Sequence, residues 1–254
     1  MSGRHLLILG AMDIRPPEEH ERRPEVISRR RLLWLSGAGL AAAVAPIATP
    51  VVTSAAPVAH QILCRDAWGA APARPGGRTH TLNRMTIHHT EVTLGDNADA
   101  PARLRQHQRY HQDTHGWIDI AYHFSVDRNG NIYQLRRPDL VGDTATNYDP
   151  TGHFLVVCEG DFDNEQVSED QLNGAALVLA SAAQQFGIST DTLAGHRDFS
   201  STTTCPGASL YEHVTSGDLQ NRVDGLLAAG PVGLPLLCGP EATENVAAIE
   251  SGLR

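Results

Sequence analysis

Apolar positions in this chain switch between a period of two and a period near 3.6, and the switches outline a domain. Arg84 to Thr90 is a short apolar run that ends in two histidines and predicts a buried strand. Asp99 to about His115 has helical spacing, with Leu104 one of few apolar positions and Asp99 set to cap the start. Ile120 to Asp127 and Asn131 to Leu135 flank Asn129-Gly130, a dipeptide that predicts a type I′ hairpin. His153 to Cys158 predicts a second core strand. Ser168-Glu169-Asp170-Gln171 has capping-box spacing and opens a long apolar helix through Phe186, closed by Gly187. A last helix is expected from about Ser209 to Leu227. Strands interleaved with helices predict an α/β domain with a single mixed central β-sheet flanked by helices. After Ala229 the chain turns Gly/Pro-rich, and surface wrapping or no regular structure is expected there, except near Cys238.

The front end changes the domain count. Ser28-Arg29-Arg30-Arg31-Leu32-Leu33 is a twin-arginine signature, followed by an Ala/Gly-rich apolar run to about Ala48. Pro46, Pro50 and the small residues Thr53, Ala55, Ala56 and Ala59 favour a cleaved signal over a membrane-spanning anchor. The expected organisation is a signal region at 1–59, a catalytic domain at 60–229 and a C-terminal tail at 230–254. Removal of the signal leaves about 195 residues, enough for one domain with a sizeable core. Twin-arginine export places the protein outside the cytoplasm, in the periplasm, cell wall or medium, with no stable membrane anchor after cleavage.

Charge narrows the partners. Five of the 29 acids and seven of the 20 basic residues lie in residues 1–59, which leaves 24 acids, 13 arginines and a formal charge of −11 on the rest. Such a balance argues against nucleic acid or an anionic membrane as the main partner. Of the four cysteines, Cys158 lies in the apolar run Phe154-Leu155-Val156-Val157-Cys158 and reads as a buried free thiol. Cys64 and Cys238, near the two ends of the exported part, are candidates for a disulfide.

Candidate chemistry centres on Gly195-His196-Arg197-Asp198 and the loop running to Thr203-Thr204-Cys205-Pro206-Gly207, which sets an imidazole and a thiol nine residues apart. His88 or His89 at the end of the upstream strand adds a second imidazole, and neighbouring strand residues point to opposite faces, so only one of them can join a given metal. Two nitrogens and one thiolate make a ligand set for a catalytic zinc that keeps its fourth position open. His107, His111 and His115 share a helix face, but no carboxylate or cysteine in the sequence completes a second set, and they read as a polar face. Glu91 and Glu159 are possible proton-transfer groups.

Four segments carry a family resemblance. They are Ile62-Leu63-Cys64-Arg65-Asp66-Ala67-Trp68-Gly69-Ala70, Thr86-Ile87-His88-His89-Thr90, Gly116-Trp117-Ile118-Asp119-Ile120-Ala121-Tyr122-His123-Phe124, and Gly195 to Gly207. Over roughly residues 61 to 228 the chain resembles the zinc amidases that cut peptidoglycan between N-acetylmuramic acid and L-alanine, a group that includes peptidoglycan recognition proteins and phage amidase lysozymes. The resemblance implies the fold of the peptidoglycan recognition proteins, zinc on His88, His196 and Cys205, and hydrolysis of that amide by a zinc-bound water. It also makes Tyr122 a catalytic residue. Thr203 matches a position where phage amidases carry lysine, so it reads equally as an oxyanion donor or as a loop-stabilising hydroxyl. His111 matches a position that favours packing or orientation.

The chain also departs from that pattern. Gly142-Asp143-Thr144-Ala145-Thr146 lacks a histidine that relatives often carry, and His153-Phe154-Leu155 replaces a small Ser-Ile-Gly stretch. These changes are expected to touch a groove wall and not the metal. Two competing readings remain: a non-catalytic peptidoglycan sensor, which typically lacks the cysteine ligand, and a zinc hydrolase of another amide in a closed pocket.

Overall fold

The computed structural model describes residues 60–254, so the twin-arginine signature and cleavage region lie outside the described residues. Among them, seven strands form one mixed sheet: β1 (Ile62–Leu63), β2 (Arg84–His89), β3 (Phe124–Val126), β4 (Ile132–Gln134), β5 (His153–Cys158), β6 (Ala194–Gly195) and β7 (Leu236–Leu237). Their order is β6-β2-β5-β3-β4-β1-β7, and every neighbouring pair is parallel except the β3–β4 hairpin. Five helices flank it: α1 (Ala100–Asp113), α2 (Glu169–Phe186), α3 (Ala208–Thr215), α4 (Asp218–Ala228) and α5 (Pro240–Glu250).

The central strands β2 and β5 are buried on both faces; β5 reads as a nearly continuous apolar run, whereas β2 alternates Met85 and Ile87 with the buried polar Thr86 and His88. In register, Ile87 faces the same side as Val156, and His88 the same side as Val157. Met85, Ile87, Phe154 and Val156 pack beneath α2 and α4 with Leu172, Leu179 and Val223. The opposite face, shared by His88 and Val157, holds Trp68, Leu104, Ile120, Tyr133 and Leu135 under α1 and α5. Strand direction then brings the C-terminal ends of β2 and β6 side by side, the edge where parallel sheets present ligands.

Several boundaries differ from the sequence reading. Asp99 makes no side-chain cap; it belongs to a 3-10 turn (Asn97–Asp99) whose start is capped by Asp96, which accepts from the Ala98 amide at 3.0 Å. The hairpin is not type I′, because Gly130 alone among its turn residues has positive φ, +79°. The Asp127 carboxylate instead organises a longer turn, accepting from the amides of Asn129 and Asn131 at 3.0 Å each and from the Tyr133 hydroxyl at 2.7 Å. Gly217, at φ +77°, breaks the expected last helix into α3 and α4. The Gly/Pro-rich tail is regular structure: β7 adds to the sheet edge, and α5 buries Ala242, Val246 and Ile249.

Other expectations hold. Ser168 caps α2 by accepting from the Gln171 amide at 3.1 Å, and Gly187 ends it at φ +66°. Cys64 and Cys238 are joined, with Cα atoms 5.1 Å apart, one residue beyond the Leu63–Leu237 pair of the β1–β7 ladder. Cys158 is a buried free thiol.

Candidate functional site

His88 comes from the end of β2, His196 opens a 3-10 turn (His196–Asp198) directly after β6, and Cys205 returns on the loop that follows. One donor atom from each lies within 4.8 Å of the others, and all three residues are buried. The loop is tied at both ends: the Arg197 amide donates to the Cys205 carbonyl at 2.9 Å, and the Gly195 amide to the Asp198 carboxylate at 2.8 Å. Cys205 Sγ stands 3.5 Å from His88 Nδ1 and accepts from the His89 amide at 3.4 Å. These residues form a donor set that can hold a metal ion.

Electrostatics fit that use. Burial, then the neighbouring His196, holds the His88 imidazole well below its ordinary value, and burial lowers His196 to about 4, so both rings are neutral and carry a free lone pair. Burial pushes the Cys205 thiol up to about 12, and a bound cation opposes that shift by favouring the thiolate. His89 points the other way, as strand geometry requires. Its ring stacks on Phe162, and its Nδ1 accepts from the Phe162 amide at 3.2 Å.

Tyr122 packs against His88, with ring centroids 5.0 Å apart. Burial, then the Cys205 sulfur, lifts its hydroxyl well above the ordinary tyrosine range, which keeps it protonated. Thr203 Oγ1 accepts from the Cys205 amide at 3.1 Å, a loop-stabilising contact, and the residue also lines the cleft. The cleft over the donor set is lined by Tyr110, His111, His115 and Trp117 and by Asp143 to Thr146.

The three histidines expected on one helix face divide, and His115 lies beyond α1, which ends at Asp113. His111 Nδ1 accepts from the Ala121 amide at 3.2 Å, one residue before Tyr122, and His115 stacks on Trp117 at 4.4 Å. His107 does not sit on an open polar face. Its Nδ1 lies 3.9 Å from the buried Glu159 carboxyl, which accepts from the Ser125 hydroxyl at 2.9 Å. Burial pushes Glu159 up to about 8 and His107 down to about 4, so between those values the contact joins two neutral groups. Glu159 lies away from the cleft, whereas Glu91 lines it on backbone of positive φ, +57°.

The groove wall corrects one expectation. The segment lacking the family histidine does reach the donor set: Thr146 Oγ1 lies 2.8 Å from His196 Nε2. Arg136, fully buried, pins this wall through the carbonyls of Asp119, Ile120 and Val141 and the carboxylate of Asp143. Tyr148 packs on His196 at 4.9 Å. None of these loop residues carries a periodic or motif signal; only the missing histidine marked the segment as unusual.

A family model described as N-acetylmuramoyl-L-alanine amidase matches residues 78–208. The human N-acetylmuramoyl-L-alanine amidase is 35% identical over 156 residues, 59% of this chain and 26% of that protein, so this chain spans about a quarter of its length. Peptidoglycan-recognition protein SC2 of Drosophila melanogaster is 29% identical over 158 residues, 60% of this chain and 84% of that protein. Among solved structures, Drosophila peptidoglycan recognition protein SD superposes with a TM-score of 0.57 at 26% identity, covering 61% of this chain and 94% of that one. Peptidoglycan recognition protein LE, solved in complex with tracheal cytotoxin (monomeric diaminopimelic acid-type peptidoglycan), superposes with a TM-score of 0.56 at 31% identity, covering 61% and 92%.

Proposed function

This chain belongs to the N-acetylmuramoyl-L-alanine amidase family, and from that premise we propose that it hydrolyses the amide between N-acetylmuramic acid and L-alanine in peptidoglycan, with zinc held by His88, His196 and Cys205. The observation that carries the reading is the convergence of these three donors at the floor of an open cleft beside Tyr122. The Cys205–His88 spacing suits zinc: a tetrahedral site with Zn–S of about 2.3 Å and Zn–N of about 2.0–2.1 Å has an S···N edge of about 3.5 Å. Cys205 Sγ to His88 Nδ1 measures 3.5 Å.

Zinc, when bound by two imidazoles and a thiolate, supplies Lewis acidity toward a carbonyl and lowers the pKa of water at its open position. The chain's own groups do the rest. The Tyr122 hydroxyl, held protonated, donates to the oxygen of the scissile carbonyl as negative charge builds there, and the presence of Thr203 in the cleft lining supports a second hydroxyl donor. The amide C–N bond breaks, the oxygen of water stays on the lactyl carboxylate, and a proton passes to the leaving amine of L-alanine. Tyr110, His115 and Trp117 give the sugar and peptide an aromatic wall.

Retention of all three donors and Tyr122 favours an enzyme over a sensor that only binds muropeptides. The open cleft, with Glu91, Tyr110 and His115 exposed, suits a polymeric substrate better than a small acyl-amino acid. The twin-arginine signature supports export to the periplasm, cell wall or medium, followed by signal removal near residue 59, with residues 60–254 as the working part. Incubation with a purified muropeptide and mass analysis tests the reading: the expected products are a muramic sugar and a stem peptide with a free L-alanine amino terminus, whereas intact, bound muropeptide would identify a sensor.

A further inference from the structure

We infer that Thr146, backed by Thr144, is the positioning residue that holds the metal ligand His196 by its outer nitrogen and fixes its ring orientation. The inference rests on the metal-binding reading above and assigns a role to a loop outside the family pattern.

With a cation bound to His196, the protons along this loop run in one direction. A neutral imidazole that ligates a cation through one nitrogen carries its hydrogen on the other. Thr146 Oγ1 stands 2.8 Å from His196 Nε2, so Nε2–H donates to the hydroxyl and Nδ1 is left for the metal. Thr146 Oγ1, having accepted, donates its own hydrogen to Thr144 Oγ1 at 2.8 Å. The Thr146 amide also donates to Thr144 Oγ1, at 3.1 Å, which locks the turn that aims the Thr146 side chain. With the cation on Nδ1, each donor in this chain of three side chains has an acceptor.

The other ligand has no such partner. His88 presents Nδ1 to the Cys205 sulfur, and its Nε2 is buried without a hydrogen-bond partner among the described residues. Thr146 therefore makes the one outer hydrogen bond found on the imidazole pair, and it acts on His196. Tyr148 packs on the His196 ring at 4.9 Å and limits its tilt, but a ring contact cannot choose between nitrogens.

The test uses the full-length chain. Zinc affinity is measured by competition with a chromogenic chelator, and the cobalt-substituted protein is followed by its visible spectrum. Thr146→Val and Thr146→Ala, which lack the hydroxyl, are expected to bind zinc about 10- to 100-fold more weakly and to shift the cobalt bands. Thr146→Ser, which keeps the hydroxyl, is expected to restore both. Nitrogen-15 NMR of the zinc-bound wild type needs no variant and is expected to show the His196 proton on Nε2. A proton on Nδ1, or wild-type affinity and spectrum in both hydroxyl-free variants, would overturn the inference while leaving the metal reading intact. A wild-type chain that takes up no zinc would overturn both.

Discussion

Cys205 is nearly inaccessible, its thiol is pushed up to about 12, and its sulfur lies within hydrogen-bonding range of His88 and the His89 amide. Removing the sulfur should therefore cost metal more than fold. Cys205→Ser is expected to lose bound zinc and turnover while keeping its circular dichroism spectrum; unchanged zinc stoichiometry and turnover would remove Cys205 from the site. Tyr122→Phe is expected to keep zinc and lower kcat by about 10²- to 10³-fold, the usual cost of one oxyanion donor, and an unchanged kcat would reduce Tyr122 to packing. Buried titratable groups predict the pH profile of stability. Between the unfolded value of 4.5 and about 8 the folded state binds more protons at Glu159, so that term lowers stability as pH rises. His107 and His153 at about 4, and His111 and His123 at about 3, act oppositely: the unfolded state binds their protons below 6.5, so their stabilising term is lost as pH falls through those values. Chemical denaturation should show stability climbing from pH 4 to 6.5 and falling toward pH 8, with the alkaline fall absent in Glu159→Gln. The donor set was legible in the sequence because its spacing and order are tied to chemistry. Thr146 was not, since a loop hydroxyl reveals its target only once the chain has folded around it.

Strands β2 and β5 were the most legible elements: burial on both faces leaves β5 a nearly unbroken apolar signature, and β2 shows Met85 and Ile87 in alternation ahead of its two histidines. The hairpin was found, but its turn type was misread: Asn129-Gly130 suggests two left-handed residues, while the Asp127 side chain stabilises a different path. One helix was expected where α3 and α4 stand because apolar spacing continues across Gly217, and only its positive φ reveals the break. In the tail, Ala242, Val246 and Ile249 do follow helical spacing, but Gly and Pro flanking them concealed it. Pro240 begins that helix, where its missing amide costs nothing. The Cys64–Cys238 bond ties this last helix to the first strand and closes a loop of 174 residues, for which chain entropy suggests roughly 5 kcal/mol. Reduction, or the double change Cys64→Ala with Cys238→Ala, should lower the Tm by several degrees and expose the α5 contact first. Non-reducing peptide mapping that finds both cysteines free would contradict this.

For the whole molecule, the proposed twin-arginine export would couple metal loading and disulfide formation through timing. A twin-arginine route carries folded protein, so the metal site would form inside the cell, while Cys64 and Cys238 would pair only after translocation, because the cytosol keeps thiols reduced. Changing Arg29, Arg30 and Arg31 together to lysine should strand folded precursor in the cytoplasm, and export at the normal rate would assign the signal to the general secretory route. The account as a whole turns on one claim, that the cleft is a zinc amidase acting on peptidoglycan. The direct measurement is digestion of purified peptidoglycan with and without a chelator, scoring new L-alanine amino termini by mass. The expected result is release by the untreated protein, none after chelation, and recovery on adding zinc; full release by a verified metal-free protein, or none by the zinc-loaded one, would contradict it.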